Sequence, residues 1–326
     1  MGENTNVQTV TAEEEAGSLT QPVKADHTNS RKRYSRSDIL AALICLLPSF
    51  VLLVMFTIVP LIISFYFSFF DIKDYLGNTF VGFKNYGTIL FGLQSSNFYK
   101  SLLIGLEFVL IIVPLQLVLS FLVANLVMRL SRKYSSVIKI CIYLPCLLSG
   151  IVVGSIFSYV YNYHGGLLNG ILNGMGMQSI NWTDAKGWAI LAVCIAAIWN
   201  GLGYNTLVML GGLYDIPVDY YEAARLDGAN WWKQTIHITI PSLKNIGLYL
   251  LISLVVSSFQ LYEIPLVIVG ALAEHSVEGP IYYLYYQFQY TDNMGEVYAA
   301  SLLVAIVLTA LSSIVFKLTS SEKSQD

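Results

Sequence analysis

Charge is what this 326-residue sequence has least of: Asp, Glu, Lys and Arg together make up 12% of it. A soluble domain carries about 25%, so the chain lacks the polar surface needed to cover itself in water. Cysteine is scarce as well. Cys45, Cys141, Cys146 and Cys194 lie inside apolar runs with no CxxC pair among them, which speaks against a disulfide framework or a zinc site. They read as small buried hydrophobes. The four histidines (His27, His164, His237, His275) are scattered, so the metal-site expectation is none. No GxxxxGK[ST] phosphate loop occurs, and no nucleophile–base pair or set of paired acids suggests catalysis. A net charge of −3 gives no reason to expect nucleic acid.

What the sequence does have is long apolar runs, with a mean hydropathy of +0.61. A spanning helix needs about 20 mainly apolar residues, and six segments qualify: 39–69, 101–128, 137–161, 188–213, 244–269 and 296–316. Pro48, Pro60, Pro114 and Pro145 fall within them, where neighbouring helices can satisfy the freed carbonyls. Residues 1–37 are acidic and rich in Ser and Thr, and close on Arg31, Lys32, Arg33 and Arg36. They lack the short apolar core and cleavage site of a signal peptide, and read as a disordered cytosolic tail. With the amino terminus inside, 14 of the 18 Lys and Arg residues fall in inner segments and four (Lys73, Lys84, Lys100, Lys186) in outer ones. That bias is the positive-inside pattern. The expected fold is an all-α integral membrane protein with six transmembrane helices and both termini cytoplasmic. It comprises the tail 1–37, a transmembrane domain 38–317 and a C-terminal tail 318–326.

Between the fourth and fifth spans lies a polar, helix-forming stretch, "EAARLDGANWWKQTIHITIPSLK", residues 222–244. Its composition predicts a helix over 219–227, a left-handed turn at Gly228 and a second helical stretch from Trp231 to Ile238, closed by Pro241. On physical grounds alone an interfacial helix anchored by Trp231 and Trp232 is the alternative.

The order Glu222-Ala223-Ala224, then Gly228, then Ile238-Thr239-Ile240-Pro241 resembles the EAA loop of bacterial ABC-importer permeases, which usually show Leu-Pro at the last two positions. "YEAARLDGA", including Asp227, is similar to the carbohydrate subfamily. So are "FVGFKNY" at 80–86 and "GGLLNGILNGMGM" with "NW" at 181–182. The likeness covers residues 39–317; a Gly-Gly-Pro after the fifth span is here Glu278-Gly279-Pro280. The resemblance implies a maltose-type, type I importer permease in the bacterial inner membrane, with an EAA coupling loop at about 219–241. It implies no cofactor on this chain, ATP and Mg being handled by a partner ATPase present in two copies. The other implied partners are a second, different permease chain, an extracellular sugar-binding protein and membrane lipid. Glu222, Ala223, Ala224, Asp227 and Gly228 would contact the ATPase.

Polar groups inside a span are costly unless they face a cavity. The fourth span carries "IWNGLGYNTL" and the fifth "SSFQLYE". Together with the resemblance this marks Trp199, Asn200, Gly201, Tyr204, Ser257, Ser258, Gln260 and Leu261 as substrate-binding candidates, with packing between helices as the plain alternative. Glu107 would line the cavity, pair with another span or sit near the interface. The tract "YYLYYQFQY" at 282–290 reads as an interfacial aromatic belt with a short outer helix, or as a shelf passing sugar inward. The rival functions are an ion-coupled secondary transporter, for which no internal repeat is found, and a membrane-embedded enzyme. An oligosaccharide is the expected cargo.

Overall fold

A computed structural model describes residues 36–73, 77–93, 95–183, 187–270 and 276–320. The expected tails, 1–37 and 318–326, lie outside it apart from residues 36–37 and 318–320, which are helical. The chain divides into two compact units, residues 1–58 and 59–326. In the first, α1 (Arg36–Leu53) is followed by a π turn, Val54–Ile58.

The second unit begins with α2 (Val59–Phe67), then a hairpin of β1 (Phe70–Lys73) and β2 (Gly77–Phe80). There follow α3 (Lys84–Phe91), α4 (Ser95–Met128), α5 (Arg132–Tyr143), α6 (Gly150–Val160) and α7 (Leu167–Gly174). Next come α8 (Trp188–Tyr214), α9 (Val218–Leu226), α10 (Trp231–Gln234) and α11 (Ile240–Ser242). The chain closes with α12 (Lys244–Phe259), α13 (Glu263–Ile268), α14 (Pro280–Tyr290) and α15 (Met294–Ser320).

Among the described residues, five helical stretches are long and apolar enough to cross a membrane: Leu43–Phe67, α4, α8, Lys244–Ile268 and Met294–Thr319. The sixth expected span is the exception. The segment read as one helix over 137–161 is two, Arg132–Leu147 and Gly150–Val160, meeting at 98°. Pro145 contributes no N–H, and a 3₁₀ turn over Leu144–Leu147 ends the first half. The Ser149 hydroxyl then accepts from Val152 N at 3.4 Å and starts the second. The hairpin also departs from the all-α expectation; Phe70 pairs with Phe80 and Lys73 with Gly77. Two four-residue strands are too short to show a period-2 pattern.

Both five-residue π turns, Val54–Ile58 and Thr235–Thr239, end two residues before a proline. A proline cannot donate to the carbonyl four residues back, and its ring crowds that carbonyl. A wider turn at that point keeps the helix running.

α4 runs through three buried clusters. One gathers Phe108 with Val153, Val193 and Ile264; a second gathers Phe98 with Phe259, Tyr283 and Ala300; the third gathers Val127 with Met209, Leu213 and Leu250. Much of the remaining apolar surface is exposed, including Phe50, Leu110 and Ile306, as lipid or a membrane partner requires. The same fact corrects the cysteine expectation. Cys194 is buried, but Cys45 and Cys141 are exposed; in a bilayer an apolar residue need not be interior.

Candidate functional site

The segment between α8 and α12 folds as a helix–turn–helix whose every step is locally caused. Asp219 sits in the first turn of α9 and Arg225 in its last, each complementing the helix dipole. Past the helix end, Ala229 N donates to Ala224 O (2.8 Å) and Gly228 N to Arg225 O (3.0 Å). These two bonds form a Schellman closure, which puts the residue after the C-cap in the left-handed region. That residue is Gly228, at φ +76°. Ala224, the second alanine of the motif, is therefore the acceptor that closes the turn. The Asn230 side chain accepts from Lys233 N at 3.0 Å and caps α10. Gln234 Nε2 donates to Ala229 O at 2.8 Å, across the turn.

The returning limb is tied to the outgoing one by a Tyr221–Thr239 hydroxyl contact of 3.0 Å. Both feet stand on the bundle, since Ile216 and Leu243 are buried in the cluster shared with α4, α8 and α12. Arg129, just past the end of α4, lies 5.2 Å over the Trp231 ring, a cation–π contact. Glu222, Ala223, Asp227 and Gly228 are exposed, and Ala224 is half-buried. Leu226 is 90% exposed at the tip. Sequence reading passed over it, because its place in the helix pattern resembles that of any apolar face residue.

The eight substrate candidates occupy α8 and the α12–α13 junction. Trp199 and Tyr204 are exposed, with Trp199 edge-on to Phe157 at 5.5 Å. The Tyr204 hydroxyl meets the Tyr249 hydroxyl of α12 at 2.9 Å, linking the two spans. Ser257 and Gln260 are exposed, while Gly201 and Leu261 are half-buried. Leu261 packs against the cluster built on Phe108. Ser258 is buried, and its hydroxyl finds no hydrogen-bond partner among the described residues. Gln260 and Leu261 lie where helix α12 gives way to α13.

Asn200 has a second occupation. Its Nδ2 donates to Pro145 O at 2.7 Å and stands 3.4 Å from Leu148 O, tying α8 to the bend of the third span, where Pro145 O also accepts from Leu148 N at 3.1 Å. Three residues on, Gly203 lets α8 approach the end of α5; a Cβ there would collide with the Ile142 carbonyl. Nearby, Gln116 of α4 is 1% exposed with neither amide atom bonded among the described residues. Glu107 is exposed on α4. No group of three or more His, Cys, Asp or Glu that could hold a metal ion occurs among the described residues.

Residues 116–321 match the family described as the binding-protein-dependent transport system inner membrane component. The arabinooligosaccharides transport system permease protein AraP of Bacillus subtilis is 31% identical over 258 residues, 76% of this chain and 78% of that protein. The trehalose/maltose transport system permease protein MalF of Thermococcus litoralis is 26% identical over 226 residues, 69% of this chain and 75% of that one. Among solved structures, a chain of a bacterial ABC transporter for import of the acidic polysaccharide alginate superposes with a TM-score of 0.76. That match covers 89% of this chain and 97% of the other at 19% identity, and shows a shared fold.

Proposed function

The chain belongs to the binding-protein-dependent transport system inner membrane components, and from that premise we propose that it forms half of the path of an ATP-driven saccharide importer. Its cargo is an oligosaccharide, as the saccharides named for its relatives suggest. A separate ATPase, present in two copies, hydrolyses MgATP. A second, different permease chain completes the path, and an extracytoplasmic binding protein delivers the sugar. Membership of a binding-protein-dependent system leaves the ion-coupled alternative without support.

The observation that carries this reading is the capped helix–turn–helix at 218–242, which stands on buried Ile216 and Leu243 and presents Glu222 and Leu226 outward. A tether would have no need of two caps and a cross-braced tyrosine. A rigid knob transmits a movement of its partner to the spans on which it rests. Glu222, Ala223, Asp227 and Leu226 supply its contact face, and Ala224 and Gly228 its shape.

The path itself runs along the exposed stripe of Trp199, Tyr204, Ser257 and Gln260, with Asn200, Gly201, Ser258 and Leu261 behind it. An indole and a phenol offer faces to sugar C–H groups and polar tips to hydroxyls. Exposure in a single chain is what a path shared between two chains requires. Trp199→Ala and Tyr204→Ala should each raise the KM of ATP-driven uptake in proteoliposomes by five-fold or more while the assembled complex is recovered in normal yield. An unchanged KM in both would remove the stripe from the path.

The arginine and lysine bias puts the knob and both termini in the cytoplasm. A cysteine replacing Thr183 should then react with a membrane-impermeant maleimide on intact cells, and one replacing Asp227 should not. The reverse pattern would invert the orientation.

A further inference from the structure

A cavity of about 880 Å³ opens between the β1–β2 hairpin, α3, the first turn of α4, α14 and the start of α15. It lies at the far end of α4 from the coupling knob. Asn97 lines it, whereas Arg129 at the other end of the same helix stacks on Trp231. Thirty-four residues at 1.5 Å each are about 51 Å of helix, enough to cross a bilayer with its headgroups. With the knob in the cytoplasm, the cavity is on the outer side.

The frame of this cavity is saturated internally. Asn85, 2% exposed, donates to Ser68 O and Phe70 O at 2.8 Å each, and its Oδ1 accepts from Asn293 Nδ2 at 3.2 Å. Asn293 Oδ1 in turn accepts from Ile72 N and Gly295 N, both at 3.0 Å. The two asparagines lock the hairpin to the start of α15, and their bonds are spent on doing so.

The walls offer ligand chemistry. Tyr283, Tyr286 and Tyr290 follow at i, i+3 and i+7 along α14, one face of a helix. The rings of Tyr286 and Tyr290 lie 4.6 Å apart, tilted by 40°. Burial, reinforced by the Glu278 and Glu296 carboxylates, pushes the Tyr283 phenol up to about 12, so it keeps its proton at any physiological pH. Across from α14 stand the Thr88 hydroxyl and the Asn97 amide. Four carboxylates line the space (Asp71, Glu278, Asp292, Glu296) against two ammonium groups (Lys73, Lys84). Lys73 is already 3.4 Å from Asp71.

Aromatic faces with hydroxyls, amides and carboxylates around them suit a molecule that is covered in hydroxyls and has apolar C–H faces. Carboxylates accept short, strong hydrogen bonds from hydroxyls. The same carboxylate excess repels an anionic chain, since unlike potentials attract and like ones cost energy across a contact. The volume sits in the upper part of the 300–1,000 Å³ range of ligand pockets, room for several linked rings. The carboxylates form no group suited to a metal ion among the described residues.

Building on the importer reading, we propose that this cavity is a receiving site for a neutral oligosaccharide, which it holds before the sugar enters the spans, and that its negative charge rejects uronic-acid chains. Tyr286 and Tyr290 supply the platform, and Asp292 and Glu296 the hydroxyl acceptors.

The test uses the complete complex in nanodiscs without ATP, carrying Thr88→Cys. The rate at which a maleimide modifies the introduced thiol is followed by peptide mass spectrometry. Arabinopentaose or maltopentaose should slow the reaction at least three-fold, and pentagalacturonate at the same concentration should not. Adding Tyr290→Ala, at a side chain 70% exposed and so not needed for folding, should abolish the protection. No protection by either neutral sugar overturns the proposal. Equal protection by pentagalacturonate overturns the charge selection. Protection by sugar-free binding protein, with none from sugar, makes the cavity a protein-docking surface instead. ATP-driven uptake by the same preparation reports separately on the importer reading, so transport without protection sinks the cavity proposal alone.

Discussion

Gly228→Val is expected to lower saccharide uptake per ATP hydrolysed by ten-fold or more, in a complex whose subunits remain membrane-inserted. Gly228 holds φ +76°, a region that costs a β-branched residue roughly 1–3 kcal/mol. That is comparable to the worth of the two hydrogen bonds closing the turn, Ala229 N to Ala224 O and Gly228 N to Arg225 O, at about 1 kcal/mol each. The turn therefore opens, and the direction in which Leu226 and Glu222 point is lost. Gly228→Asn is the discriminating control. Asparagine tolerates the left-handed region far better than valine, so most of the coupling should return. Glu222→Lys should act by another route, reversing an exposed charge without touching the turn. If Gly228→Val and Glu222→Lys complexes both transport at the normal ratio to hydrolysis, the segment is not the coupling element.

Asn200→Leu should cost the assembled complex stability, on the order of 1–3 kcal/mol, because it removes the side-chain hydrogen bond that ties α8 to the bend and leaves the Leu148 carbonyl without its amide donor. The Asn200 amide faces the carbonyls of Pro145 and Leu148 at 2.7 and 3.4 Å; the first of these also accepts from Leu148 N at 3.1 Å. The melting temperature of the purified complex should fall by several degrees, and the 98° bend between Arg132–Leu147 and Gly150–Val160 should lose definition. Tyr204→Phe removes only a hydroxyl contact to Tyr249 and should leave the melting temperature nearly unchanged. The pair separates a residue that holds the bend from one proposed to line the path. An Asn200→Leu complex that melts normally while its KM rises would mean that Asn200 serves the sugar alone.

How much of this was legible in the sequence depends on how local the cause is. The helix–turn–helix at 218–242 was readable almost residue by residue, because Asp219, Gly228, Asn230 and Pro241 act on their own neighbours. Five of the spans were readable from length and hydropathy for the same reason. The bend was not. Pro145 looks no different in sequence from Pro48 or Pro114, which sit inside unbroken helices. What distinguishes it is Asn200 and Gly203, more than fifty residues away, the first donating to its carbonyl and the second admitting a close helix crossing. The cavity escaped for the same reason on a larger scale, being assembled from Thr88, Asn97 and Tyr286 on three separate helices and Asp292 on a connecting loop. The aromatic tract that forms one wall could be read from sequence, but what it faces could not. Leu226 was hidden differently: a leucine in a helix carries no mark of its exposure, and only the capped turn beside it leaves it pointing outward.

One measurement bears most directly on the proposal that this chain moves sugar at the expense of ATP hydrolysed by a partner. Proteoliposomes containing the two permease chains and the ATPase subunits are supplied with binding protein and labelled arabinopentaose. Uptake is compared with internal MgATP, with a non-hydrolysable analogue, and with an imposed proton or sodium gradient in place of nucleotide. The account predicts accumulation only with hydrolysable ATP and binding protein together, and none from either gradient. Accumulation driven by an ion gradient in liposomes that lack the ATPase would contradict it.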